Sequence, residues 1–287
     1  MLARIAAILA VSLAAAVPAQ DRSDPLTRPI AADRAAEWLA PRPPARVFGN
    51  SYVVGFGGLS VALIDTGKGL ILIDGALPQA APAILANVAK LGFRPRDIKY
   101  ILSTEPHFDH AGGLAALARD TGATVIASAR GAEGLRSGRL AAEDPQRGYD
   151  SRFPPVPAVR VIGDGQTLRL GDTVITARAT PGHTLGSMSW SWRSCAARRC
   201  RAIVFASSLN PVSADGYLYG APSSRAILAG YQRSYAAMRA MPCDILITAH
   251  PDQAGGKGRF TTVPGACRAY ADRSKRSLAR RLASEGK

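Results

Sequence analysis

Little in this chain is aromatic, acidic or thiol-bearing. Aromatic residues make up 6% of the 287, and no run of Lys/Arg exceeds two. Both features weigh against the stacking platform and cationic groove of a single-strand nucleic-acid protein. Asp and Glu number 21 against 36 Lys and Arg, a formal charge of +15. That balance suits solubility, an anionic surface or anionic small substrates. Beyond the first 19 residues no stretch is long and apolar enough to span a bilayer. Disorder is excluded as well, because 47% hydrophobic residues suffice for a real core.

Residues 1–19 read as a secretory leader. Arg4 supplies the charged start, residues 5–17 the apolar core, and Val17-Pro18-Ala19 a small-residue cleavage site. Export to the periplasm with cleavage near Ala19 is the expectation. Residues 20–287 show no linker, so a single domain follows. Four cysteines in an exported chain favour disulfides over metal thiolates. Three pairings are possible. The geometrically simplest joins Cys195 to Cys200 across a hairpin loop and leaves Cys243 for Cys267.

Residues 20–45 look like a Pro/Arg-rich surface arm with a helical hint over 32–39. Strands are expected at 51–54, 59–64 and 70–73, a helix over 78–91, then a buried strand at 99–102. A helix at 114–119 and a strand at 123–127 continue the alternation, which argues for α/β layers. Residues 139–157 show no period and hold four prolines; so long a loop is usually functional. Strands resume at 159–162, 167–170 and 174–177, with a hairpin from 187–192 and 201–206. An irregular stretch, 207–220, precedes a helix at 224–241, a strand at 244–248 and a basic helix at 267–284.

Histidine is scarce, and its placement is the strongest signal. The chain holds four. His107 and His110 lie in Thr104-Glu105-Pro106-His107-Phe108-Asp109-His110, directly after the strand at 99–102. His183 and His250 each follow an apolar run, beside Gly or Pro. Glu105, His107 and Asp109 alternate, so an extended loop would send them to one side. Asp109 and His110 are adjacent and are expected to point apart, letting one loop feed two neighbouring metal ions. Zinc accepts imidazole and carboxylate ligands and keeps a position open in catalytic sites.

The cluster resembles the His-x-His-x-Asp-His signature of the metallo-β-lactamase superfamily, with Glu105 in the place of the first His. Phe48-Gly49-Asn50-Ser51-Tyr52-Val53-Val54-Gly55, Leu72-Ile73-Asp74-Gly75, Phe153-Pro154-Pro155-Val156, Asp164-Gly165, Thr180-Pro181-Gly182-His183-Thr184 and Ser207-Ser208-Leu209-Asn210 resemble the third subclass of class B β-lactamases. The similarity covers nearly the whole mature chain. It implies an αββα sandwich, two central sheets with helices outside, and a metal site at one sheet edge. One zinc would take Glu105, His107 and His183, the other Asp109, His110 and His250, with no cysteine ligand. Ser208 and Asn210 would hold a substrate carboxylate, and Asp74 would support a ligand from behind. The implied activity is hydrolysis of the β-lactam amide by metal-bound hydroxide oriented by Asp109, without a covalent intermediate, in a monomer without nucleic-acid or membrane partners.

Glu105 is the departure. It can bind zinc, hydrogen-bond a metal-bound water, or leave the first site weakly filled; a lower first-site affinity than that of three histidines is expected. Two other functions compete: a thioester or lactone hydrolase of the same superfamily, and an exported metal-binding protein with little activity.

Overall fold

The computed structural model describes residues 24–255 and 258–286; the expected leader lies outside them. The first sheet holds β1 (Ala45–Phe48), β2 (Ser51–Val53), β3 (Ala62–Asp65), β4 (Leu70–Ile73), β5 (Ile98–Leu102), β6 (Thr124–Ala127) and β7 (Val159–Val161), in that order. β1 to β4 pair antiparallel, and β4 to β7 pair parallel. The second sheet follows from β8 (Thr167–Leu170), β9 (Thr173–Ala179), β10 (Met188–Ala196), β11 (Arg199–Ala206) and β12 (Ile245–Thr248), in spatial order β12-β11-β10-β9-β8. The helices are α1 (Ala35–Trp38), α2 (Ala81–Lys90), α3 (Phe108–Ala111), α4 (Leu114–Thr121), α5 (Ala129–Ser137), α6 (Arg225–Ala240) and α7 (Ala266–Glu285).

Side-chain alternation with period two builds the layers. On β4, Leu70 and Leu72 pack with Ile84 and Val88 of α2 and Leu114 and Leu117 of α4. Ile71 and Ile73 point the other way, into an interior shared with Ile175, Trp190, Phe205 and Ile247 of the second sheet. On β11, Ile203 and Phe205 enter that interior, while Val204 packs with Tyr231 and Met238 of α6 and Tyr270 of α7. The result is the expected αββα sandwich. All four β4 side chains are at most 2% exposed; burying each stabilises the fold by about 1.5–3 kcal/mol.

The ends of β4 and β5 meet at a tight seam. Past β4 the backbone turns left-handed at Asp74 (φ 66°) and Ala76 (φ 54°), a conformation that non-glycine residues seldom adopt. Hydrogen bonds hold it: Asp74 N–H donates to Leu102 O (2.8 Å) and Gly75 N–H to His110 O (2.9 Å). Gly113 must be glycine here, since a Cβ would lie 2.2 Å from the Gly75 carbonyl oxygen.

Several elements differ from expectation. The strand expected at 59–64 begins only at Ala62, because residues 54–60 fold into a turn closed by Phe56 N–H to Leu59 O (2.8 Å). Helix α5 was not anticipated. Its two glycines lower helix propensity, but Ser128 caps it by accepting from Gly131 N–H (2.9 Å), and a Cβ at Gly134 would press on Pro106 at 2.7 Å. Residues 139–157 are irregular as expected, with a single 3-10 turn at Arg147–Tyr149. Both disulfides, Cys195–Cys200 and Cys243–Cys267, are formed. The first bridges directly paired residues of β10 and β11.

Candidate metal centre

The six candidate ligands come from three places just beyond strand ends. Glu105 follows β5, anchored through Thr104, whose N–H and Oγ1 each donate to the Asp74 carboxylate at 2.7 Å. His107 is extended (φ −101°, ψ 149°) and precedes α3, which carries Asp109 and His110. His183 stands in the connection from β9 to β10, and His250 follows β12.

Two groups result: Glu105, His107 and His183, and Asp109, His110 and His250; within each, one ligand atom per residue lies within 4.8 Å of the others. In the second group, His110 Nε2 is 3.1 Å from His250 Nε2, and Asp109 Oδ2 is 3.4 and 3.3 Å from these nitrogens. The groups adjoin, with Glu105 Oε1 3.1 Å from His110 Nε2 and 3.9 Å from His183 Nε2. Asp109 and His110 therefore converge, contrary to the expectation for an extended loop. The chain is helical there, so successive side chains stand about 100° apart rather than opposed.

Each imidazole has a partner behind it. His183 Nδ1 donates to Asn210 O (2.8 Å) and His250 Nδ1 to Gly58 O (3.1 Å). A carbonyl only accepts, so the hydrogen sits on Nδ1 and Nε2 is left with its lone pair. His107 is reversed: Nε2 donates to Asp144 Oδ2 (3.0 Å), freeing Nδ1. His110 Nδ1 lies 3.6 Å from Asp74 Oδ2, an ion-pair distance longer than a hydrogen bond. Metal-binding histidines are oriented by partners of this kind.

Residues 45–195 match the model of the metallo-beta-lactamase superfamily. A B3 metallo-beta-lactamase described as having an active-site glutamic acid is 68% identical, with a TM-score of 0.91, covering 92% of this chain and 99% of that one. The chain belongs to the metallo-beta-lactamase superfamily. The Rm3 metallo-beta-lactamase is 41% identical, with a TM-score of 0.85, over 90% of this chain and 100% of its own. A curated relative, the hydroxyacylglutathione hydrolase of Anaeromyxobacter dehalogenans (strain 2CP-C), is 33% identical over 130 residues, 45% of this chain. The chain spans 40% of that relative's length.

The donor set of this superfamily member fits a pair of cations. A tetrahedral centre with bonds of about 2.0–2.2 Å sets its ligand atoms about 3.3–3.6 Å apart, close to the spacings of the second group. Glu105 Oε1 is buried without a hydrogen-bond partner, although its other oxygen accepts from Ser208 N–H (2.9 Å). An orphaned buried carboxylate oxygen is costly unless a cation satisfies it. The charges agree. Burial would raise the Asp109 carboxyl, but His110 and His250 outweigh it and hold the group well below its usual range. Burial would lower His110; Asp109, Glu105 and Asp74 overcome this and push it up to about 10. Burial and the neighbouring His107 lower His183, keeping it neutral.

The groups open on a cavity of about 630 Å³ lined by Trp38, Arg34, Phe108, Gln146, Tyr149 and Asn210, among others. Asn210, expected at the substrate, is on this wall. Ser208 is not: it is 0% exposed, and its backbone amide donates to Glu105 Oε2. The arm lies on the surface as expected and also walls the cavity, with Trp38 packed 5.7 Å from the His250 ring. Asp144 and Gln146 were also missed in the sequence. Gln146 Nε2 lies 3.3 Å from His107 Nδ1 and 3.1 Å from His183 Nε2. Their only signal was the length of the loop that carries them.

Proposed function

We propose that this chain is a zinc hydrolase that opens the amide bond of β-lactams, exported to the periplasm as a monomer. One observation carries the proposal: two adjoining three-ligand groups face one cavity, and all four imidazoles are backed by partners. The 68% identical B3 metallo-beta-lactamase with its active-site glutamic acid supports the substrate class. Two disulfides agree with an oxidising compartment, and no helix among the described residues is long and apolar enough to cross a membrane.

Glu105, His107 and His183 would hold one ion, and Asp109, His110 and His250 the other. Bound zinc supplies Lewis acidity and brings the pKa of a coordinated water toward about 7. The rest is done by the chain. Asp109, ionised and facing the cavity, orients the attacking water by accepting its hydrogen bond. Gly58, Asn210 and Asp144 keep the rings of His250, His183 and His107 from turning as charge develops, and the Asp74 carboxylate stands 3.6 Å behind His110. Asn210 offers an amide on the cavity wall to the carboxylate that β-lactams carry, and Arg34 stands on the same wall with its guanidinium held by Glu37 (2.7 Å). Metal content per chain, measured with penicillin, cephalosporin and carbapenem turnover before and after chelation, tests the proposal. Expected are two zinc ions and chelator-sensitive hydrolysis; metal-loaded protein that turns over none of the three overturns it.

The hydroxyacylglutathione hydrolase match favours a second reading, thioester hydrolysis. Rates on a cephalosporin, a thioester and a lactone under one set of conditions separate the two.

A further inference from the structure

We infer that Asp144 is a positioning residue for His107 and that, through it, the 139–157 loop is coupled to metal binding at the first group. The inference rests on the metal assignment above, but not on the choice of substrate.

The two groups are braced by different kinds of structure. Behind the second stand scaffold elements. Asp74 ends β4, and the Gly58 carbonyl belongs to a turn pinned by Ser60 N–H to Ala249 O (2.9 Å). The His110 carbonyl is held by Gly75 N–H at the seam. Behind the first group stand two irregular loops. Asp144 of the 139–157 loop reaches His107 at 3.0 Å. The 207–220 loop supplies Asn210 O to His183 and Ser208 N–H to Glu105. His107 and His183 of the first group thus depend on loops for their partners, while Glu105 leans on a loop through Ser208 and on the end of β4 through Thr104 and Asp74.

The loops are also tied to each other. Ala214 N–H donates to Pro145 O (2.9 Å), next to Asp144, and the Tyr149 hydroxyl donates to Ser213 O (2.7 Å). Asp144 is built in rather than lying against the site. It is 5% exposed, and its Oδ1 accepts from Gln146 N–H at 2.8 Å while Oδ2 engages the imidazole. Its carboxylate holds the hydrogen on Nε2 and leaves the Nδ1 lone pair toward His183, where the amide of Gln146 from the same loop donates to it at 3.3 Å. Without the carboxylate only Gln146 Nε2 still holds the ring against turning or exchanging tautomers. Coupling between binding steps is reciprocal. A loop whose closure fixes a ligand is itself closed by the metal, by the same factor.

The test uses zinc titration against a chromophoric chelator in two backgrounds. His250→Ala removes a ligand of the second group and isolates the first; His183→Ala does the reverse. Asp144→Asn is expected to weaken first-group binding about 10–100-fold and second-group binding less than about threefold. Limited trypsin cleavage after Arg147, an exposed residue of the same loop, is read by mass spectrometry. Zinc is expected to slow that cut at least about tenfold in the parent, by the reciprocal coupling, and to leave it nearly unchanged in Asp144→Asn. Equal losses at both groups, no loss at either, or zinc-insensitive cleavage in the parent overturns the inference. Asp144→Asn keeps the side chain's shape, and its circular dichroism in excess chelator should match the parent; a mismatch assigns Asp144 to folding and also overturns it. No β-lactam enters these measurements, so a chain that hydrolyses none would lose the proposed function and leave this result standing.

Discussion

Glu105 is committed on one side and open on the other. Oε2 accepts from the Ser208 amide, and only Oε1 faces the histidines. Imidazole is the better matched ligand for zinc, so Glu105→His should tighten the first site roughly tenfold in a chelator competition; equal affinities would refute this. Asp74 acts through buried hydrogen bonds. Asp74→Ala strands the Thr104 N–H and hydroxyl, at a cost of about 2–4 kcal/mol, measurable as a lower urea midpoint in excess chelator. At this scale the sequence was informative where chemistry is rare. Four histidines, each just past an apolar strand, left little choice of candidate ligands, and all four fall in the two adjoining groups. It was uninformative where direction matters: Ser208 and Asn210 are two apart, yet one is fully buried and the other lines the cavity. Asp144 is one carboxylate among 21 acidic residues, with no periodic neighbour to mark it.

Among the elements, the C-terminal helix α7 is fastened at both ends. Near its start Cys267 joins Cys243, closing a loop of 24 residues. Replacing both with Ser should lower stability by about 3 kcal/mol, seen in denaturant unfolding; removing Cys195–Cys200, whose strands are already paired, should cost less. At its end Glu285 accepts from Gly220 N–H (2.8 Å), Tyr219 N–H (3.0 Å) and Arg281 (3.1 Å). Burial pulls this carboxyl up, but the two amides and the guanidinium outweigh it and lower its pKa. A depressed folded-state pKa contributes stability above the unfolded value of about 4.3 that is lost as pH falls through the folded one. The stability gap between the parent and Glu285→Gln should therefore narrow as pH falls below the unfolded value of about 4.3; a constant gap counts against it. Strands and long helices were legible from apolar spacing. Helix α5 was not, because Gly131 and Gly134, which make its close contacts possible, are the residues that argue against a helix.

Over the whole molecule, alternating strands and helices pointed to α/β layers, and the family signature supplied the sandwich. The spatial order of the second sheet was not legible, since β12 reaches β11 across α6 and only packing brings them together. The +15 charge should raise the encounter rate with anionic substrates. Then kcat/KM for a β-lactam carboxylate should fall severalfold between about 10 and 500 mM salt, as the screening length shrinks, while a neutral ester analogue changes little.

The meeting of Gly113 with the Gly75 carbonyl has an awkward corollary for judging variants. On one flank of that contact Asp74 grips Thr104, just ahead of Glu105; on the other, Gly75 holds His110. A single added methyl at position 113 would pry these flanks apart and misalign both ligand triads together. Such an allele would pass any inspection that merely ticks off the six candidate ligand side chains, and still be disarmed.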